Sequence, residues 1–234
     1  MRRCAIMQPT YLPWSGYFGL MASVDVFVLL DDVQFERRSW QSRNRILLQG
    51  KDHYLTVPVK KAARETPIHA IEIHPEQEWQ ANHLQVLTQA YGRHPYGQPV
   101  LDLIADVFAQ QHTLLANLNH ALIDALSRHI GLVTPIVRAS GLGCGGQRSD
   151  HLAEICRALD CPAYLSPAGS KEYMTEDRFE ERHGIQASFQ NFVPAPYEQL
   201  GTKEFISHLS IADVIAHNGP EFARAYLSSS ETRN

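Results

Sequence analysis

The run from Cys4 to Phe35 constrains this chain more than any other. Two apolar segments of strand length, residues 4–8 (CAIMQ) and 25–30 (DVFVLL), enclose a loop, TYLPWSGY, and a stretch with helical spacing, FGLMASV. The second segment is apolar almost throughout, so it reads as a parallel strand covered on both sides, and the crossover between the two strands then winds right-handed. Such a β–loop–α–β unit commits the chain to the α/β class, with an open, mostly parallel sheet. In sheets of this kind the ligand crevice lies outside the carboxyl ends of the strands. Gln8, Thr10, Tyr11, Asp31 and Asp32 fall at that edge.

The rest of the chain fits the same class. Arg45–Leu48, Tyr54–Val59 and His69–Ile73 are rich in β-branched or aromatic residues and are separated by Gly50 and a polar stretch, which predicts a hairpin-like excursion. Helical periodicity follows over 78–90, 99–109 and 113–129, with Gly131 as a stop, so the section at about 78–131 reads as a helical insertion. A β–α–β rhythm then returns. A strand is expected at 136–139, a helix at 149–159 with Ser149 as N-cap, and a strand at 163–166. A helical stretch at 175–182, a strand at 186–189, a loop at 194–197 and helices at 210–217 and 220–227 complete it. At 234 residues the expectation is one domain over 1–234, without internal repeats and with a tail at 228–234 that frays.

The net charge of −4 provides no basic field for nonspecific nucleic-acid binding, so nucleic acid is not an expected partner, although Arg37, Arg38, Arg43 and Arg45 cluster locally. Met1-Arg2-Arg3 leads into a strand instead of a signal segment, and no apolar run approaches the ~20 residues of a membrane span, so a cytoplasmic protein is expected. Cys4, Cys144, Cys156 and Cys161 lack CxxC spacing and read as reduced thiols. Cys144, within Gly143-Cys144-Gly145-Gly146, is open to reading as a nucleophile or as part of a plain glycine-rich turn. Twelve histidines show no HExxH or His-x-x-x-His spacing, so no metal is expected, and no motif names a cofactor or an oligomeric state.

Four stretches carry candidate chemistry. In QPTYLPWSGYF two prolines limit the backbone and Gly16 permits close approach, while Tyr11, Trp14, Tyr17 and Phe18 offer faces for a base or a sugar. Trp14 and Phe18 are equally readable as core at helical spacing. Asp31 and Asp32 end the second strand, and alternation sends them to opposite faces, so one is readable as facing the pocket as a base, a ribose or sugar binder or a Mg²⁺ ligand, or the pair as a solvated turn or cap. The segment RRSWQSRNR surrounds Trp40 and Asn44 with arginines and reads as an anion clamp built on Arg43 or Arg45, or as a charged surface strand. The last, Leu165 to Lys171, follows a strand and precedes a helix, so Ser166 and Lys171 are candidates for cradling an anion.

These stretches carry a resemblance. AIMQPTYLPWSGYF, DVFVLLDDVQF, W-Q-x-R-N-R at 40–45 and LTVPV at 55–59 look like the WbqC-like family, as do AYLSPAGSKEY at 163–173 and LSIADVIAHNG at 209–219. The resemblance covers nearly the whole chain and implies sugar modification in bacterial surface-polysaccharide or O-antigen biosynthesis. It emphasises Gln8, Pro9, Tyr11, Pro13, Gly16, Tyr17, Asp31, Asp32, Gln34, Trp40, Asn44 and Arg45, and it departs at Pro167, where the family has glycine. A more distant likeness in topology is to nucleotidylyltransferases of the HIGH-motif type, with Trp14 and Tyr17 standing where those enzymes carry histidines. The implied role is a transferase that moves an acyl or aminoacyl group to an amino sugar, with Asp31, Asp32 and Tyr11 catalytic. Gln8, Thr10, Trp14, Gly16, Tyr17, Gln34, Trp40, Arg43, Asn44, Arg45, Ser166 and Lys171 would bind a nucleotide-linked sugar or activated acyl donor. The alternative is a nonenzymatic module that holds a nucleotide sugar or a partner protein.

Overall fold

The apolar strand after the first crossover is buried at every position: β2, Val26–Leu29, shows no solvent face. A computed structural model of the chain describes residues 1–75 and 78–228, so the expected fraying beyond Ser228 falls outside the described residues. β1 (Arg3–Met7) is central, and the sheet order is β5 (Ile136–Arg138), β2, β1, β6 (Ala163–Ser166), β7 (Gln186–Phe189). All four pairings are parallel, with Met7 beside Leu29 and Cys4 beside both Val26 and Tyr164. This is an open, Rossmann-like sheet.

Alternation along the strands sorts the core into two layers. Ala5, Phe27 and Leu29 pack with residues of α1 (Ser15–Ala22), α2 (Trp79–Tyr91), α3 (Gly97–Ala109), α4 (Leu115–His129), α8 (Ile211–Asn218) and α9 (Pro220–Ser228). Cys4, Ile6, Val26 and Val28 pack on the opposite face with α5 (Arg148–Ala158), α6 (Lys171–Glu176) and α7 (Phe179–His183). Truncating a fully buried ring such as Phe27 to alanine removes about 3–5 kcal/mol by lost transfer energy and cavity formation. Strand order runs outward in both directions from β1 and β6, so the switch point, and with it the crevice, lies where these two strands end.

The hairpin is a separate two-stranded sheet, β3 (Arg43–Leu48) with β4 (Lys51–Thr56). Its two-residue turn, Gln49-Gly50, has positive φ at both positions (50° and 76°), the geometry that matches strand twist and favours glycine.

Three expectations differ from the structure. His69–Ile73 is not a strand: Ile68–Ala70 forms a 3₁₀ turn and only Glu72 and Ile73 make isolated bridges. Its amides are taken piecemeal, His69 N by Asp31 O at 2.8 Å in the chain leaving β2, Ala70 and Ile71 N within the turn, and Ile73 N by Thr113 O at 2.8 Å, so no partner strand is needed. Ser149 is not an N-cap; the helix starts at Arg148, and the Ser149 hydroxyl donates to Asp177 at 2.5 Å. The stretch at 175–182 is two short helices, α6 and α7, because Arg178 between them takes the left-handed conformation (φ 50°).

Candidate functional site

The loop leaving β1 is shaped by amide side chains beneath it. Asn44, buried on β3, donates through Nδ2 to the carbonyls of Tyr11 (3.0 Å) and Leu12 (2.9 Å), and its Oδ1 accepts from Arg45 N at 2.8 Å. Asn119 on α4 donates to Pro9 O (3.1 Å) and Gln41 O (2.8 Å), and Gln41 Nε2 in turn donates to Gln8 Oε1 at 2.9 Å. Buried carbonyls need partners, and these supply them where no regular structure does. The same ties hold Leu12 at φ 42°, a conformation that L residues rarely adopt.

Above this loop lies a cavity of about 280 Å³ lined by Met7, Thr10, Trp14, Tyr17, Trp40, Asn44 and His208. Five of the seven are residues singled out from the sequence. Trp14 packs edge-on against Phe192 at 5.4 Å and lies 4.7 Å from the His208 ring. Gly16 belongs to the same construction: a Cβ there would sit 2.2 Å from the Trp14 ring, so only glycine lets the indole fold back over the start of α1. Tyr17 donates to Gln8 O at 3.3 Å, and burial raises its phenol well above the ordinary value, so it stays protonated. Partial burial, with the Arg45 charge second, lowers His208. The chamber is therefore uncharged, with aromatic walls and the polar ends of Thr10 and Asn44, and it is of a size for one ring.

Beside it, at the end of β2, the two aspartates have separated. Asp31 is fully buried: Oδ2 accepts from Arg138 Nε (2.6 Å) and Ser140 Oγ (2.9 Å), and Oδ1 from Ser140 N (2.9 Å). Arg138 also donates to Asn117 at 2.7 Å. That carboxylate is occupied as a strut between β2 and β5. Asp32 instead meets His151 of α5, its two oxygens lying 3.2 and 3.1 Å from Nε2. His151 Nδ1 faces Gly145 O at 2.8 Å. A carbonyl only accepts, so Nδ1 carries hydrogen and Nε2 is the ring atom that faces Asp32.

The other sequence candidates are dispersed. Tyr11, expected to be catalytic, is fully buried and does not line the cavity; its hydroxyl lies 2.8 Å from His83 Nδ1, and burial raises its phenol. Ser166 is also fully buried and donates to Tyr164 OH at 3.3 Å, while Lys171 stands exposed with its Nζ 6.0 Å from the Phe189 ring; neither lines the cavity. Gln34 is exposed and bridges to Pro67. Arg45 turns to Asp52 and Ser207 O, both at 3.3 Å, and Arg43 points into a different groove. Burial, then Glu154 and Asp32, raise the Cys144 thiol, which disfavours the thiolate a nucleophile needs. All four cysteines are free. Among the described residues no three His, Cys, Asp or Glu side chains are grouped to hold a metal, and no helix is long and apolar enough to cross a membrane.

Met7, Arg138, Asn119, His151 and His208 were not singled out as site residues. Asn119, Arg138 and His208 sit in no recognisable motif, and His151 reads from its helix as a surface residue beside Asp150 and Glu154.

The WbqC-like protein family is matched over residues 8–225, which takes in the cavity loop, both aspartates, the hairpin and β6. The chain belongs to that family. It is also 28% identical over 233 residues to a Mycobacterium tuberculosis protein described as uncharacterized protein Rv1507c, with 96% of this chain and 98% of that one aligned. No solved structure matches. In this WbqC-like chain the motif residues divide by what they touch. Trp14, Tyr17 and Trp40 wall the cavity, Gly16 makes room for it, Asn44 both lines it and ties its loop, and Tyr11 and Asp31 hold the frame.

Proposed function

We propose that this WbqC-like chain is a cytoplasmic transferase that modifies a sugar for a bacterial surface polysaccharide, moving an acyl or aminoacyl group from an activated donor to a sugar amine. The observation that carries the reading is that an uncharged, aromatic-walled cavity and the Asp32–His151 pair both sit at the carboxyl ends of neighbouring strands, β1 and β2. Met7 lines the first and pairs with Leu29 on β2, and Asp32 lies three residues beyond Leu29. The cavity takes the flat face of a base or sugar ring between Trp14 and Trp40. The amine lone pair attacks the donor's acyl carbon, the leaving group departs with the bond electrons, and the amine proton passes to the Asp32–His151 pair. Asp31, saturated by Arg138 and Ser140, keeps the β2 exit in place and takes no part in proton transfer.

The test is turnover of amino-sugar nucleotides with acyl or aminoacyl donors, with melting temperature read in parallel. Asp32→Asn and His151→Gln lower turnover at least about 100-fold while the fold persists. Asp31→Asn instead lowers stability by about 3 kcal/mol, since it breaks a buried ion pair. Full turnover in both Asp32→Asn and His151→Gln would sink the assignment. Ligand binding with no turnover in the native protein would make the cavity a nonenzymatic holder of a nucleotide sugar.

A further inference from the structure

Four cations converge on one concave surface outside the cavity. Arg37 and Arg38 from the loop before the hairpin, Arg43 at the start of β3, and Lys61 beyond β4 line a groove of about 550 Å³ together with Ser42 and Thr56. No aspartate or glutamate lines it, and among the described residues none of the four pairs with a carboxylate. Arg43 is the informative member. Its guanidinium carbon lies 4.8 Å above the Tyr54 ring, while its Nε is shut off from water and makes no hydrogen bond. A solvated basic face would spread its charges outward or pair them. Here the hairpin brings Lys61 to the same groove as the local cluster Arg37, Arg38 and Arg43, and an Arg fork flanked by further cations matches phosphoryl oxygens.

We propose that this groove is a binding site for a compact multivalent anion, a diphosphate, whether free or as part of a larger molecule. Trp40 connects it to the cavity: its ring stacks 6.2 Å from Tyr54, the ring under Arg43, and also walls the chamber. A donor carrying a diphosphate can thus set its charged part in the groove and its ring in the cavity. That extension rests on the functional reading above; the groove itself does not.

Calorimetric titration with inorganic pyrophosphate and with a nucleoside diphosphate, at matched low ionic strength, tests both. Pyrophosphate binds the native protein, binding weakens about tenfold or more in Arg43→Gln and in the double variant Arg37→Gln/Lys61→Gln, and Arg93→Gln, an exposed cation outside the groove, leaves it unchanged. No pyrophosphate binding, or equal weakening by Arg93→Gln, overturns the proposal. Tighter binding of the nucleoside diphosphate, with the increment lost in Trp40→Ala, identifies one ligand spanning both sites. Equal affinity for the two ligands leaves the groove standing as a free diphosphate site and removes the donor from the cavity.

Discussion

The loop that leaves β1 and the hairpin that faces it present opposite solutions to holding a concave surface. Pro9 to Leu12 is uncharged and tied from below by buried amides, Asn44 donating to Tyr11 and Leu12 and Asn119 to Pro9 and Gln41. The outer face of the hairpin carries Arg43, Arg45 and Tyr54, held by ladder pairing and ring stacking, with charges that find few partners. The first arrangement fixes shape and tolerates no loss; the second supplies charge and tolerates change. Burial is the physical difference, because a polar group without a partner costs most where water cannot replace it.

Three measurements sharpen or break that contrast. Asn44→Ala leaves two buried carbonyls without donors, so denaturant unfolding should show a loss of about 4 kcal/mol, at the expense of the cavity floor. A loss below about 1 kcal/mol would mean that the loop holds its own shape. Next in size is a pH effect seated beneath the same loop. Burial lowers His83 from 6.5 to about 4, so it stays neutral in the folded protein while the unfolded chain takes up a proton. Stability conferred by the neutral ring is complete above about pH 6.5 and falls between there and about pH 4, by up to about 3 kcal/mol. Urea titrations across that window should show the slope, and His83→Gln should remove it. The smallest effect belongs to the hairpin: Arg45→Gln, which breaks an exposed pair with Asp52, should change stability by less than about 1 kcal/mol, and added salt should mask even that. A larger loss would place Arg45 among the structural residues of the loop.

Much of the architecture was legible in advance because it depends on local pattern. Uninterrupted apolarity at 26–29 required a strand covered on both faces, and the helices at 79–129 followed from periodicity alone. The mistakes were local too. Ser149 precedes an apolar helical run as a cap would, yet Gln147 precedes the helix and the hydroxyl serves Asp177. For the candidate site, residues within the loop, such as Thr10, Trp14 and Tyr17, came together as their spacing suggested. Ser166 and Lys171 did not, because β6 buries the first and the turn after it carries the second outward.

The sequence by itself determined that a β–loop–α–β unit would place an aromatic loop and two aspartates at one edge of a parallel sheet. Periodicity and proline and glycine placement act over a few residues and can be read without knowing what lies across the fold. Only the tertiary structure decided which aspartate is saturated by a guanidinium and a serine and which meets a histidine. Arg138 and Ser140, which saturate Asp31, and His151, which meets Asp32, arrive from more than a hundred residues away. Two adjacent carboxylates of identical chemistry acquire different roles from the partners the sheet and α5 bring to them.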